Sequence, residues 1–178
     1  SGDITGTNAS TSVTMTENKT AAITFTLQQY TLDIAKGGTG SGQVKINDGA
    51  ATNLPYSGTF DYGTIVKVEA VSSTGSSFTG WSGSLTGTSN PSNITINTDK
   101  SVIANFNLQQ YTLDITKSGN GFGQVRVNGA LEDLPFSGSF NFGTTVSLVA
   151  TPSTGSDFTN WSGDITGTNA STSVTMTE

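Results

Sequence analysis

The sequence predicts an all-β protein: a string of small tandem modules with about five strands each. Three observations carry that expectation. The chain is rich in Ser, Thr and Asn, with 22 glycines among 178 residues and 11% charged residues. Such a composition favours strands and turns over helices. Its apolar residues alternate with a period of two, and no stretch follows the helical period. Long pieces of the first half also return almost unchanged in the second.

The repeats set the organisation. LQQYTLDIAKGG at 27–38 returns as LQQYTLDITKSG at 108–119, 81 positions on. LPYSGTFDYGT at 54–64 returns as LPFSGSFNFGT at 134–144, 80 positions on, because IND-GA at 46–50 becomes VN-GA at 127–130. Asp48 has no counterpart. FTGWSG at 78–83 matches FTNWSG at 158–163, and residues 2–30 align with 83–111 without a gap. The phrase SGDITGTNASTSVTMTE stands at both 1–17 and 162–178. Residues 1–29 therefore read as the C-terminal part of a module, 30–110 as a complete module, and 111–178 as a module lacking its last strand.

Each strand is justified by its alternation. YTLDIAK at 30–36 puts Tyr30, Leu32 and Ile34 on one face. QVKI and QVRV turn Val44 and Ile46, or Val125 and Val127, inward, with Lys45 and Arg126 outward. TIVKVEA and TTVSLVA keep apolar residues at Val66/Val146, Val68/Leu148 and Ala70/Ala150, while Ile65/Thr145, Lys67/Ser147 and Glu69/Val149 drift. A buried face keeps its type and a solvated one does not, so the drift itself assigns the faces. Ile94 and Ile96 match Val13 and Met15 in a fourth strand. Val102, Ala104, Phe106 and Leu108 match Ala21, Ile23, Phe25 and Leu27 in a fifth.

The junction SVIANFNLQQYTLDI leaves only Gln109 and Gln110 between two apolar patterns, with none of the padding of a flexible linker. A stiff string of beads is the expectation. The piece that 111–178 lacks, NKTAAITFTLQQ, stands at 18–29. Either the parent chain continues past Glu178 as a longer covalent array, or subunits exchange ends. In an exchange, Ala21, Ile23, Phe25 and Leu27 of one molecule complete the module of the next, since an unpaired sheet edge templates strand addition. The array is the simpler account, because exchange leaves one copy of the seventeen-residue phrase surplus.

YTLDI opening a module, FDYGT or FNFGT before a Val-rich strand, FTGWSG or FTNWSG, and DKSVIANF together resemble the divergent internalin-type B-repeats, the Listeria–Bacteroides repeat group. The resemblance covers the whole chain, with TAAITF departing slightly from SVIANF in the first segment. It implies small β-grasp-like or β-sandwich-like modules strung in tandem in large secreted or surface proteins, as spacer or adhesive stalk. It implies no catalytic residue.

The chemistry of the chain is sparse. It has no His and no Cys, which removes nucleophile–imidazole pairs and the usual zinc sites. Seven Lys plus Arg and a net charge of −6 supply no basic stripe for nucleic acid. No stretch approaches a membrane span or a signal peptide. Glu132-Asp133 is the one adjacent acid pair, and Thr52-Asn53 stands in its place in the sister module, so it reads as a surface turn. NTDKS and TENKT lack the dense alternating acids that calcium prefers. Sequons at Asn8, Asn18, Asn93 and Asn169 are expected by chance in so Asn- and Thr-rich a chain. A Lys36 or Lys117 crosslink to Asn needs a buried lysine, whereas strand ends leave lysines solvated. Phe78, Trp81, Phe158 and Trp161 are candidates for glycan contact, but small cores depend on such aromatics, and packing is the favoured reading.

The expected function is structural: an extracellular or cell-surface stalk or filament segment, without enzyme activity, cofactor or metal. Its partners would be neighbouring repeats or identical subunits. An adhesive module for glycan or a host protein is the alternative.

Overall fold

The computed structural model describes residues 4–177. Three letters at the start of the repeated phrase and one at its end lie outside the described residues. The described residues form fourteen strands and no helix.

The complete module contains β1 (Gln29–Gly37), β2 (Gly42–Ile46), β3 (Thr52–Asn53), β4 (Tyr56–Asp61), β5 (Ile65–Ser72), β6 (Ser76–Gly83), β7 (Ser92–Thr95) and β8 (Lys100–Leu108). They make two four-stranded sheets, ordered β4-β1-β8-β6 and β3-β2-β5-β7. One apolar cluster draws on both: Leu32 and Ile34 from β1, Val44 from β2, Val66 and Val68 from β5, Ile94 from β7, and Val102, Ala104 and Phe106 from β8. This is a sandwich, closed by burying the apolar faces of two sheets against each other. The β1–β8 pair is parallel, with Ile34 opposite Val102 and Lys36 opposite Ala104.

The five expected strands are β1, β2, β5, β7 and β8, joined by three that alternation does not mark. In β4, Tyr56, Gly58 and Phe60 face inward, and the central glycine weakens the apolar signal. In β6 a register shift between Phe78 and Gly80 breaks the period of two. That bulge brings Phe78 and Trp81, three residues apart, onto one side with ring centroids 5.0 Å apart. The short β3 is the far arm of a hairpin whose turn absorbs the unmatched Asp48, with Asn47 and Asp48 at φ 49° and 60°.

The second module contains β9 (Gln110–Ile115), β10 (Gly123–Val127), β11 (Ala130–Glu132), β12 (Phe136–Asn141), β13 (Thr145–Pro152) and β14 (Ser171–Thr175). One four-stranded sheet, β11-β10-β13-β14, faces a sheet of only two strands, β12-β9. Asn128-Gly129, at φ 50° and 87°, links β10 to β11 in the two-residue turn that matches strand twist. The buried cluster is Ile115, Val125, Val127, Val146, Leu148 and Met176.

Residues 4–28 contain no strand, which corrects the expectation for Val13 and Met15. Met15 is 67% exposed, whereas Met176, in the identical phrase, is 7% exposed. The difference is the partner: β14 pairs along β13 from Thr145↔Thr175 to Val149↔Ser171, and no such strand precedes Val13 among the described residues. The expected last strand is likewise unformed at 18–28, where Ile23, Phe25 and Leu27 are exposed.

Candidate assembly interface

The two modules differ at one place. In the complete module β1 lies between β4 and β8, and β8 lies between β1 and β6. In the second, β9 pairs β12 along one edge, Phe136↔Ile115 to Asn141↔Gln110, and among the described residues has no strand on the other. The residues matching β6 form no strand either; Trp161 keeps only a bridge to Gly167, as Trp81 does to Gly87. Between β9 and the Trp161 segment runs a groove of about 710 Å³ lined by Leu113, Ile115, Val125, Leu134, Phe158 and Trp161, among others. Val102, Ala104 and Phe106, all fully buried, fill the corresponding space in the complete module.

The joint between modules is one residue long, since β8 ends at Leu108 and β9 begins at Gln110. Gln109 is clamped from both sides. Its N–H donates to the Gly75 carbonyl at 2.8 Å, and its carbonyl accepts from the Phe142 N–H at 2.8 Å. The Phe142 ring lies against Gly75, so that a Cβ there would fall within the ring. Gly75 also has φ +70°, a conformation side-chain-bearing residues rarely adopt. Glycine therefore serves both the turn and the close approach.

Trp81 is 4% exposed and donates its indole N–H to the Ser89 carbonyl at 3.0 Å. Trp161 makes the matching bond to Asn169 at 3.0 Å, but it and Phe158 are only half-buried on the groove wall. Of the four aromatics only Trp81 is fully in a core; Phe78 is half-buried against the first cluster, and Trp161 packs partly against the second. Lys36 and Lys117 each reach over a Gly-rich turn, donating to the carbonyls of Gly38 and Gly40, or Gly119 and Gly121. Asp133 accepts from Gln124 at 2.7 Å, and Asp99 accepts from the Thr31 N–H at 2.8 Å. Among the described residues no three His, Cys, Asp or Glu side chains gather as a metal site, and no helix could span a membrane.

Two groups in the complete module titrate away from their ordinary values. The hydrogen bond from Lys67 to Asp48, reinforced by the carboxylate's charge, holds the ammonium above its usual range. Burial pushes the Tyr56 phenol up. Sequence reasoning missed Asn90, whose side chain both accepts from the Ala70 N–H and donates to the Ala70 carbonyl, each at 2.8 Å. Its amide completes the edge of β5 as a strand would. In the second module the backbone carbonyl of Ala170 accepts from Ala150 instead, so no repeated side chain marks the role.

Tandem two-sheet β modules joined without a linker are the class that fold and joint define. The divergent InlB B-repeat domain family matches residues 32–110 and 111–178, and the chain belongs to it. No curated protein and no solved structure matches the chain significantly.

Proposed function

We propose that this chain is a structural, non-enzymatic segment of an extracellular stalk or filament, and that residues 18–29 complete 111–178 end to end. The clamped one-residue joint carries the spacer reading. Two backbone hydrogen bonds and a ring seated on glycine resist the bending that a Gly/Ser linker permits. B-repeat domains are typical of surface proteins, which supports placement outside the cell.

Complementary substitutions support the pairing. In the complete module Gly37 lies opposite Asn105, and a Cβ on Gly37 would collide with Asn105 and Ile103. The repeat alignment places Ser118 where Gly37 stands, and Thr24 and Ala22 where Asn105 and Ile103 stand. The side chain gained on one strand is matched by volume lost on the other. Likewise Ala21 and Ile23 replace Val102 and Ala104, shifting volume along the strand rather than removing it.

Small-angle X-ray scattering tests the spacer reading. The wild-type chain should give one narrow spacing between modules, and a Gly-Ser-Gly-Ser insertion between Gln109 and Gln110 should broaden it. A wild-type distribution as broad as the insertion's would refute the reading.

A further inference from the structure

Resting on that reading of end-to-end complementation, we propose that the joint between two copies repeats the internal joint, with Gly155 and Asp157 of one copy receiving Gln28 and Tyr62 of the next. The partner is a second copy of this chain. The alignment that carries β8 onto 19–27 also carries Gln109 onto Gln28, Phe142 onto Tyr62, Gly75 onto Gly155 and Ser77 onto Asp157.

Both halves are preformed and uncovered. On the incoming side, the Tyr62 N–H already donates to the Gln28 carbonyl at 2.7 Å, as Phe142 does to Gln109 at 2.8 Å. Tyr62 is a large aromatic left 54% exposed, and its ring sits 6.3 Å from Tyr30, matching the 6.4 Å between Phe142 and Tyr111. On the receiving side, Ser156 N–H donates to the Ser153 carbonyl at 3.0 Å, the same turn as Ser76 to Ser73 at 3.0 Å. Gly155 has φ +80°, and a Cβ there would meet nothing within 4 Å. At Gly75 the same platform is covered by Phe142.

A donor strand entering beside β9 would continue through Gln28 directly into β1 of its own copy. That continuation brings the Gln28 N–H to the Gly155 carbonyl and the Tyr62 ring onto Gly155. Gln109 also donates its side-chain amide to Ser77 at 3.3 Å. At the joint between copies the acceptor becomes the carboxylate of Asp157, which accepts more strongly than a hydroxyl. The joint therefore adds a specific contact to strand pairing and makes successive copies as stiffly connected as the modules within one.

Sedimentation velocity and electron microscopy of the full chain over a concentration series test this. Phe25→Asp breaks the donor strand, while Tyr62→Ala and Asp157→Lys alter the joint; all three positions are exposed in the single chain, so its melting should hold. Wild type should form straight end-to-end oligomers and Phe25→Asp none. Tyr62→Ala should weaken assembly roughly tenfold and make the oligomers bend, with a smaller loss for Asp157→Lys. If wild type stays monomeric throughout, complementation between copies fails, and the joint with it. If wild type assembles and Phe25→Asp does not, yet both joint variants match wild type in affinity and straightness, only the joint is overturned.

Discussion

Val13 and Val174 occupy the same position in the same seventeen-residue phrase. Val174 sits in β14, opposite Val146 of β13, while Val13 lies in a segment without strand structure and is exposed. The same contrast separates β8 from its relative at 19–27. Phe106 is fully buried between β1 and β6, and Phe25 is 83% exposed. Strand propensity is identical in the repeated phrase, so propensity does not decide the outcome there. What decides it is a neighbouring edge that takes the backbone hydrogen bonds and a facing sheet that takes the side chains.

The largest effect should come from making the complete module resemble the incomplete one. Phe106→Asp places an unpaired charge in the centre of the first cluster and should cost about 5 kcal/mol or more. β8 should be released, and β6, whose one strand partner among the described residues is β8, should lose its amide protection in hydrogen exchange. Retained protection along β6 would show that the β6 segment holds itself, and the comparison would collapse.

A smaller effect separates the two tryptophans. Trp81→Ala should cost about 3–5 kcal/mol, as a buried aromatic deletion does. Trp161→Ala, on the open groove wall, should cost about 1–2 kcal/mol. Thermal unfolding of the two variants measures the gap, and equal losses would mean that the groove segment is as well packed as its sister.

The smallest effect lies at alkaline pH. A lysine held above its ordinary 10.5 stabilises fully below that value and loses its contribution as pH rises through the folded value. A phenol held above 10.0 acts in the same direction, because the unfolded chain releases its proton first. Phe136 and Ser147 replace Tyr56 and Lys67 in the second module. Melting of the complete module should therefore fall more steeply above pH 10, and Tyr56→Phe with Lys67→Ser should flatten the slope. An unchanged slope in that double variant would assign the alkaline sensitivity elsewhere.

Much of the fold was legible because its signals are periodic or repeated. Leu32, Ile34, Val66, Val68 and Phe106 all enter the core on the faces that alternation assigns them. The bulge at Phe78–Gly80 was not legible, since one extra residue erases a period of two. Nor was the role of Gly75: its letter marks a turn, while the ring above it comes from Phe142, far along the chain.

Composition, alternation and the 80–81-residue repeat by themselves determined an all-β chain of tandem modules, the inward faces of its principal strands, and the equivalence of 18–29 with the last strand of a module. These are properties of residues and their neighbours in sequence. Only the tertiary structure decided which copy of a repeated phrase becomes a strand. A strand is half of a pair, and its stability resides in a partner edge and an opposing apolar face that no local stretch contains.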